Sequence, residues 1–178
     1  MKIPTEVLLA MSVLGTIKTK DIVDWAVESM VAGLDSDSLR ILAGFDEADS
    51  IFELGEYFSK VKSELDLREP QKDEAIRIFS VHLAKAILEE DSDYVRLVSQ
   101  ISELCSANDY PECLMEWYWL DDGLLDVRAG SYPFGFQELY EADAREITNR
   151  VAKVFIEKQS EQVGAANRDN AGDCSQDL

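Results

Sequence analysis

The 178-residue sequence has few of the side chains that build metal, disulfide and nucleic-acid sites. One histidine and three cysteines form a poor ligand set for zinc and are too few for a disulfide scaffold. Lysine and arginine number 17 against 36 aspartates and glutamates, which gives a net charge of −19. Because binding to phosphates needs a surplus of cations, nucleic acid is excluded as the expected partner, and no metal or cofactor is expected.

Long hydrophobic runs are also missing, since no apolar stretch approaches the roughly 20 residues that span a bilayer. The longest run, residues 7–14, has Glu6 at its edge and no small-x-small cleavage site after it. We therefore interpret this run as the first helix rather than a signal peptide, and expect no membrane association. Under that interpretation the protein is cytoplasmic, and Cys105, Cys113 and Cys174 are expected to be reduced thiols.

Helical periodicity dominates the rest of the sequence. Apolar residues recur at three- and four-residue spacing, and no segment alternates with period two for more than a few residues. The sequence therefore predicts an all-α fold, a single domain of about seven to eight helices packed as antiparallel hairpins. The predicted helices are 3–14, 19–32, 37–43, 51–65, 70–89, 92–106, 111–120 and 137–158. In the second of these, the stripe predicted to face the core comprises Ile22, Val23, Ala26, Val27 and Met30.

The composition changes near residue 159. From Gln159 to Leu178 the chain has no aromatic residue and consists mostly of small or polar side chains. Such a segment cannot bury enough apolar surface to offset the entropy that is lost on ordering. We therefore predict a helical domain over 1–158 and a disordered C-terminal tail over 159–178.

The acidic residues concentrate in two blocks. Residues 35–56 hold seven acidic residues and one basic residue, and residues 112–146 hold nine acidic and two basic residues. The segment 57–88 between them is close to neutral. One interpretation is a solvated, self-repelling surface that keeps the protein in solution. The other is an acidic face that docks a basic protein, since complementary charge raises association rates.

The densest cluster of aromatic and acidic residues lies in the segment 110–136. The consecutive residues Trp117, Tyr118 and Trp119 cannot all point inward from one helix, because successive side chains are about 100° apart. Aromatic side chains next to carboxylates are typical anchors of a protein interface. The predicted partner-binding residues are Glu112, Glu116, Trp117, Trp119, Asp121, Asp122 and Asp126. A loop is predicted over 121–136, and its aromatic residues either cover the tryptophans or leave them exposed.

No arrangement of residues predicts a catalytic or metal site. The segment from Asp35 begins like a calcium loop, but Arg40 stands at the sixth position, which requires glycine, and Asp46 replaces the glutamate at the twelfth. We expect Arg40 instead to tie two helix ends together through a pair of carboxylates. His82 is the only imidazole and lies inside the predicted helix 70–89, where a structural role is favoured. The glycine-rich loops of common nucleotide enzymes are missing too, so a non-enzymatic role is favoured.

Two stretches resemble a known group of proteins. The first comprises Asp24-Trp25-Ala26 with the segment 35–45, and the second is the segment 116–122, Glu-Trp-Tyr-Trp-Leu-Asp-Asp. Over about residues 20–125 the chain resembles a group of small, acidic, all-helical bacterial proteins of uncharacterised function. This resemblance brings no catalytic residues with it. In size, acidity and helical content the chain also resembles bacterial immunity proteins that neutralise secreted nuclease toxins.

These observations support three hypotheses. The first is a cytoplasmic interaction module that binds a basic, nuclease-like protein through an acidic and aromatic face, as an immunity protein or inhibitor would. The second is a small hydrolase or ligand-binding helical protein with a carboxylate-lined pocket. The third is a homodimer that buries the aromatic cluster against a second copy.

Overall fold

The structure, a computed structural model, describes residues 3–46, 51–140 and 143–172, without the side chains of Ile51, Tyr140 and 163–172. Within these ranges the chain forms eight α-helices and two short 3₁₀ turns with no β-strand, which confirms the all-α prediction. The helices are α1 (Thr5–Val13), α2 (Thr19–Val31), α3 (Asp37–Leu42), α4 (Ile51–Glu64), α5 (Lys72–Ile87), α6 (Tyr94–Ala107), α7 (Met115–Arg128) and α8 (Ala144–Gly172). The 3₁₀ turns are Glu112–Leu114 and Gln137–Tyr140. No helix in the described ranges is both long enough and apolar enough to cross a membrane.

The chain divides into two compact units, Met1–Phe79 and Ser80–Leu178. The division lies inside α5 rather than in a linker, and no proline- or glycine-rich segment marks it in the sequence. The two acidic blocks fall in different units, because 35–56 belongs to the first and 112–146 to the second. Each unit is therefore described by itself.

The first unit has a core built around Trp25 in α2. The indole ring contacts the ring of Phe58 in α4 edge-on, with centroids 5.9 Å apart, and its Nε1–H donates to Thr5 Oγ1 of α1 at 3.0 Å. The other buried apolar residues of this core are Leu8, Leu9, Ile22, Ala26, Leu39, Leu42, Leu54 and Val61. One side chain of α2 thus contacts both α1 and α4.

The buried face of α2 differs from the predicted one. The buried residues of this helix are Ile22, Trp25, Ala26 and Ser29. Val27 and Met30 are exposed, so the prediction that they face the core is wrong. Because Trp25 is the bulkiest side chain of the helix and enters the core, the buried face centres on it and the aliphatic residues on the other side turn outward.

Two side chains cap the N-terminus of α3. Ser36 Oγ accepts a hydrogen bond from the Leu39 backbone N–H at 3.2 Å, as an N-cap serine does. The carboxylate of Glu64, at the end of α4, accepts hydrogen bonds from the Ser38 backbone N–H at 3.2 Å and from its hydroxyl at 2.6 Å. Hydrogen bonds from Ser36 and Ser38 lower the pKa of Glu64 below its ordinary value. The charged carboxylate therefore fastens α4 to α3.

Arg40 forms its ion pairs at the start of its own helix. Its Nη2 lies 2.5 Å from Asp35 Oδ2, and its Nη1 lies 3.0 Å from Asp37 Oδ1. The expected pairing with two carboxylates is present, but both acids flank the N-terminus of α3. Arg40 therefore closes the first turn of α3 and does not join two helix ends as predicted.

Arg145, at the start of α8, holds the connection between α5 and α6 in the second unit. Its guanidinium donates to the carbonyl oxygens of Ser92 at 2.9 Å and Glu89 at 2.6 Å, and to those of Ile87 and Glu90 at 3.3 Å each. These carbonyls lie at the C-terminus of α5 and just after it, where the helix dipole is negative and favours a cation. One side chain thus fastens α8 to the end of α5.

Helix α7 extends further than predicted. The predicted helix 111–120 begins as a 3₁₀ turn, and α7 continues to Arg128. The prediction of a loop over 121–136 is therefore wrong for residues 121–128. A glycine-containing segment suggested a loop, but Gly123 lies inside α7 and is buried.

Gly123 allows the segment after α7 to lie directly against that helix. A methyl group at this position would lie 2.8 Å from Leu139 Cδ1 and 3.3 Å from Phe136 Cβ. Gly55 in α4 is a matched contrast, since a methyl group there would meet nothing within 4 Å. Glycine inside a helix is about 1 kcal/mol less favourable than alanine. Close packing compensates for that loss at Gly123 but not at Gly55.

Alanine substitution is expected to have opposite effects at these two glycines. Gly55→Ala should raise the free energy of unfolding by about 0.5–1 kcal/mol, because it adds helix propensity without a clash. Gly123→Ala should lower it by about 1 kcal/mol, because overpacking costs about 1–3 kcal/mol and outweighs the gain in propensity. Urea denaturation followed by circular dichroism measures both changes. Stabilisation by both variants would show that Leu139 and Phe136 do not lie against α7.

Helix α8 starts later and ends later than the predicted range 137–158. Its backbone is helical over most of the segment that was predicted to be a disordered tail. Gln159 is buried four residues after the buried Phe155, so a polar residue continues the inward-facing stripe of α8. Composition alone does not predict that this glutamine is buried. The rest of the predicted tail, residues 173–178 with Cys174, lies outside the described residues.

Candidate functional site

Helix α7 carries most of the predicted partner-binding residues, and it has a buried face. The buried residues are Trp117, Leu120, Gly123 and Leu124. Trp117 is 0% exposed and contacts Phe155 edge-on with ring centroids 5.6 Å apart. Its Nε1–H finds no hydrogen-bond acceptor in the described part of the chain. Trp117 therefore supports α7 from inside, and this placement corrects its predicted role as a contact residue.

The exposed side of α7 carries Trp119, Asp122 and Asp126, at spacings of three and four residues, and Glu116 lies in the first turn of the helix, three residues before Trp119. Glu116 and Asp122 are exposed, Asp126 is half-buried, and Trp119 is 50% exposed. Among the described residues, no lysine or arginine forms an ion pair with any of the three carboxylates. The structure thus brings Trp119, Asp122 and Asp126 together on one side of the helix, with Glu116 one turn before them.

Asp121 and Glu112 are placed apart from this group. Asp121 is half-buried, and its Oδ1 accepts a hydrogen bond from Ser99 Oγ of α6 at 2.6 Å. Asp121 therefore fastens α7 to α6 and is already engaged within the fold. Glu112 is exposed in the 3₁₀ turn before α7 and remains accessible to a partner.

The loop after α7 places two further aromatic side chains near Trp119. Phe134 is 81% exposed and Tyr132 is 45% exposed, and their rings meet edge-on with centroids 5.7 Å apart. Between them Pro133 is buried and anchors the loop. A methyl group at Gly135 would lie 3.8 Å from Trp119 Cβ, so the loop passes directly beside this tryptophan. The aromatic loop folds back onto α7 and still leaves Trp119 half exposed.

Glu116, Trp119, Asp122, Asp126, Tyr132 and Phe134 together form what we term the α7 surface. The negative charge of this surface affects a neighbouring tyrosine. The carboxylate of Asp122 is the main reason that the pKa of Tyr118 is raised above its ordinary value. Tyr118 also meets the exposed Tyr110 edge-on, with centroids 5.4 Å apart. A hydrogen bond with Tyr110 also raises the pKa of Tyr118, so the hydroxyl of Tyr118 is already engaged within the fold.

An open groove along α8 is lined by charged side chains of both signs. Its charged walls are Glu138, Asp143, Glu146, Glu157, Arg145, Arg150 and Lys153. Arg150 Nη2 lies 2.5 Å from Glu138 Oε2, and the guanidinium of Arg145 is bound to backbone carbonyls. The groove therefore holds charges of both signs, unlike the carboxylate pocket of the second hypothesis.

The residues considered for metal or nucleophilic chemistry are distributed over α5, α6 and the 3₁₀ turn before α7. Within the described ranges, no group of three or more histidine, cysteine or acidic side chains could hold a metal ion. His82 is half-buried in α5, and Cys113 is exposed. Cys105 is buried, which raises the pKa of its thiol and makes the thiolate scarce near neutral pH.

Comparison with known proteins identifies no relative. A scan against protein-family models, a search of curated proteins and a search of solved structures each found no match. The resemblance to acidic helical bacterial proteins therefore stays a hypothesis. The function proposed next rests on the geometry and charge of the α7 surface.

Proposed function

We propose that this protein is an interaction module that binds a basic polypeptide through the α7 surface. The observation that supports this most is the exposure of Trp119, Tyr132 and Phe134 beside carboxylates that have no ion-pair partner in the described part of the chain. Clustered exposed aromatic side chains are unfavourable in water and mark interaction sites. Tryptophan and tyrosine are also enriched among the residues that dominate binding energy.

The charge of this surface defines the chemistry of the partner. Asp122 and Asp126 place two carboxylates on the exposed side of α7, and Glu116 adds a third in the first turn of the helix. The block 112–146 has only two basic residues, and one of them, Arg145, is bound to backbone carbonyls. Lysine and arginine side chains from a partner would supply the missing cations. Such an interaction is expected to form quickly and to weaken as salt screens the charges.

A nuclease-like toxin is the most specific form of the proposed partner. The nucleic-acid site of such a protein carries cations that bind phosphates. Carboxylates spaced along α7 would occupy those cations in place of phosphates, and the aromatic side chains would anchor the complex. The bound protein would then act as an inhibitor or immunity protein, because nucleic acid could no longer enter the site.

The test compares the wild type with two double variants as bait for capture from a cell lysate. Asp122→Lys with Asp126→Lys reverses two charges of the α7 surface, and Glu157→Lys with Glu161→Lys makes the same change at the same spacing on α8. We expect the wild type to retain a basic protein at low salt and release it at high salt. The first variant should lose this protein, and the α8 control should keep it.

Calorimetry with the purified partner then quantifies the surface. Asp122→Lys with Asp126→Lys is expected to weaken binding at least about tenfold, and Trp119→Ala should have a similar effect without changing the charge. Asp121 is left unchanged because it bonds to Ser99. Equal losses of affinity in the α7 variant and the α8 control would mean that binding depends only on the net charge of the protein. Unchanged binding by the α7 variant would remove this surface from the proposal.

A further inference from the structure

Helix α2 leaves an apolar face exposed in the first unit. Val27, Met30 and Val31 lie at spacings of three and one residues, which places them on one side of α2, and Leu34 follows in the turn after the helix. All four are exposed, and Val31 is 85% exposed. Single exposed aliphatic residues are common on monomers, whereas a contiguous set at helical spacing is typical of a binding surface.

A hollow of about 170 Å³ lies next to this face. Its walls include Ile3, Pro4, Trp25, Ala32 and Leu34. Leu34 belongs both to the wall and to the exposed face, so the two features are continuous. Sites for drug-sized ligands and cofactors measure about 300–1,000 Å³. The hollow is too small for such a ligand, and its size suits a single side chain.

Glu28 is the one titratable residue among the described walls of the hollow. Its carboxylate Oε2 is buried and has no hydrogen-bond donor in the described part of the chain. A buried carboxylate oxygen without a donor is unfavourable, and native proteins rarely keep one. Val31 follows Glu28 by three residues, so the carboxylate lies beside the exposed apolar face. The described walls of the hollow are thus mostly apolar, with the hydroxyl-bearing Thr5 and Ser29 among them, and Glu28 has a carboxylate oxygen without a donor in the described part of the chain.

We propose that this face docks a partner polypeptide that inserts one lysine or arginine side chain into the hollow. The methylene groups of that side chain would lie against Pro4 and Trp25, and its cation would donate to Glu28. Apolar residues next to it in the partner would cover Val27 and Val31. A second copy of this chain is a poorer occupant, because each copy carries a net charge of −19 and the copies repel. The site lies in the first unit and is independent of the α7 surface.

The first measurement is the melting temperature of Glu28→Gln. If the carboxylate has no donor in the free protein, its neutralisation should leave the melting temperature unchanged or raise it by up to about 4 °C. A clear decrease would show that Glu28 is already paired within the chain, and that would overturn the proposal. Glu56→Gln, at an exposed position in α4, is the control for loss of one negative charge.

The second measurement uses n-butylammonium as a probe for the side chain of lysine. The indole N–H of Trp25 is a local reporter in ¹⁵N–¹H NMR spectra, because Trp25 forms a wall of the hollow and donates to Thr5. We expect a saturable shift of this signal with n-butylammonium and a response about tenfold weaker with n-butanol, which lacks the charge. Glu28→Gln should reduce the response to that of n-butanol. No saturable shift, or equal shifts with both probes, would overturn the proposal.

The Asp122→Lys and Asp126→Lys double variant separates this site from the α7 surface. This variant should bind n-butylammonium as the wild type does. The result is therefore expected even if the α7 surface proves not to bind a basic partner. Loss of the Trp25 response in that variant would contradict an independent site.

The polypeptide part of the proposal is tested by selection from a random peptide library displayed on phage. The selected peptides should carry a lysine or arginine next to apolar residues, and they should lose binding to Val31→Asp and to Glu28→Gln. Selection of no peptides, or of peptides that bind both variants as well as the wild type, would overturn it. Light scattering that showed a dimer abolished by Val31→Asp would assign the face to a second copy instead.

Discussion

Replacement of Trp117 by alanine is expected to lower the free energy of unfolding by about 3–5 kcal/mol. The side chain is fully buried, and its ring meets Phe155 of α8 edge-on at 5.6 Å. Its removal would leave a large cavity between α7 and α8, since neighbouring side chains relax only in part. Urea denaturation followed by far-ultraviolet circular dichroism measures the change.

Trp119→Ala is the matched control for this prediction, because it removes the same side chain two residues later on the same helix. Trp119 is half exposed, so its removal should lower the free energy of unfolding by less than about 1 kcal/mol. Trp117→Phe should lose less stability than Trp117→Ala. The indole Nε1–H has no hydrogen-bond acceptor in the described part of the chain, so its removal breaks no such bond there. Similar losses for Trp117→Ala and Trp119→Ala would mean that α7 is rotated from the orientation described here.

The contrast between these two tryptophans shows what the sequence could predict about the candidate site. Helical geometry established that consecutive aromatic residues cannot share one face, but it did not say which of them is buried. That depends on Phe155, which lies far along the chain and whose ring meets the ring of Trp117. The sequence likewise does not distinguish Asp121 from Asp122. In the structure, Ser99 of α6 donates a hydrogen bond to Asp121.

The fold class could be predicted because apolar spacing and capping residues act locally. Ser36, for example, caps α3 as a serine before an apolar stretch is expected to do. The errors lie where distant packing outweighs local preference. Gly123 suggested a loop, yet it lies inside α7, where Leu139 and Phe136 occupy the space that a side chain would need. Gln159 has no apolar character and is nevertheless buried.

The exposed face of α2 illustrates the same limit. Spacing alone placed Val27 and Met30 in the core, because they fit a helical apolar stripe as well as Ile22 does. In the structure, Trp25 lies in the core and the aliphatic residues Val27 and Met30 are exposed. Periodicity identifies an apolar face of a helix but not what covers that face. A second apolar stripe on one helix therefore indicates a binding surface as readily as it indicates a core.

Arg145→Ala is expected to lower the free energy of unfolding by about 2–4 kcal/mol. Hydrogen bonds to a charged group contribute about 1.5–3 kcal/mol, and a cation at a helix C-terminus adds up to about 2 kcal/mol. Arg145 donates to four backbone carbonyls, including that of Ile87 at the end of α5, and its guanidinium lies 5.0 Å from the ring centroid of Tyr94. Alanine would remove the guanidinium donor from all four carbonyls, although Ile87 O still accepts from Ser92 Oγ–H and Glu89 O from the Ser92 backbone N–H. Chemical denaturation monitored by circular dichroism measures the loss.

Two further variants show whether the geometry of Arg145, rather than its charge, is responsible. Arg150→Ala removes the same charge from the same helix, but its partner Glu138 is exposed, so the loss should stay below about 1 kcal/mol. Arg145→Lys keeps the charge and should still lose part of the stability, because an ammonium group cannot donate in the fork geometry that spans several carbonyls. Full stability in Arg145→Lys would mean that charge alone fastens α8 to the end of α5. Equal losses from Arg145→Ala and Arg150→Ala would mean that the carbonyl contacts contribute nothing beyond a surface ion pair.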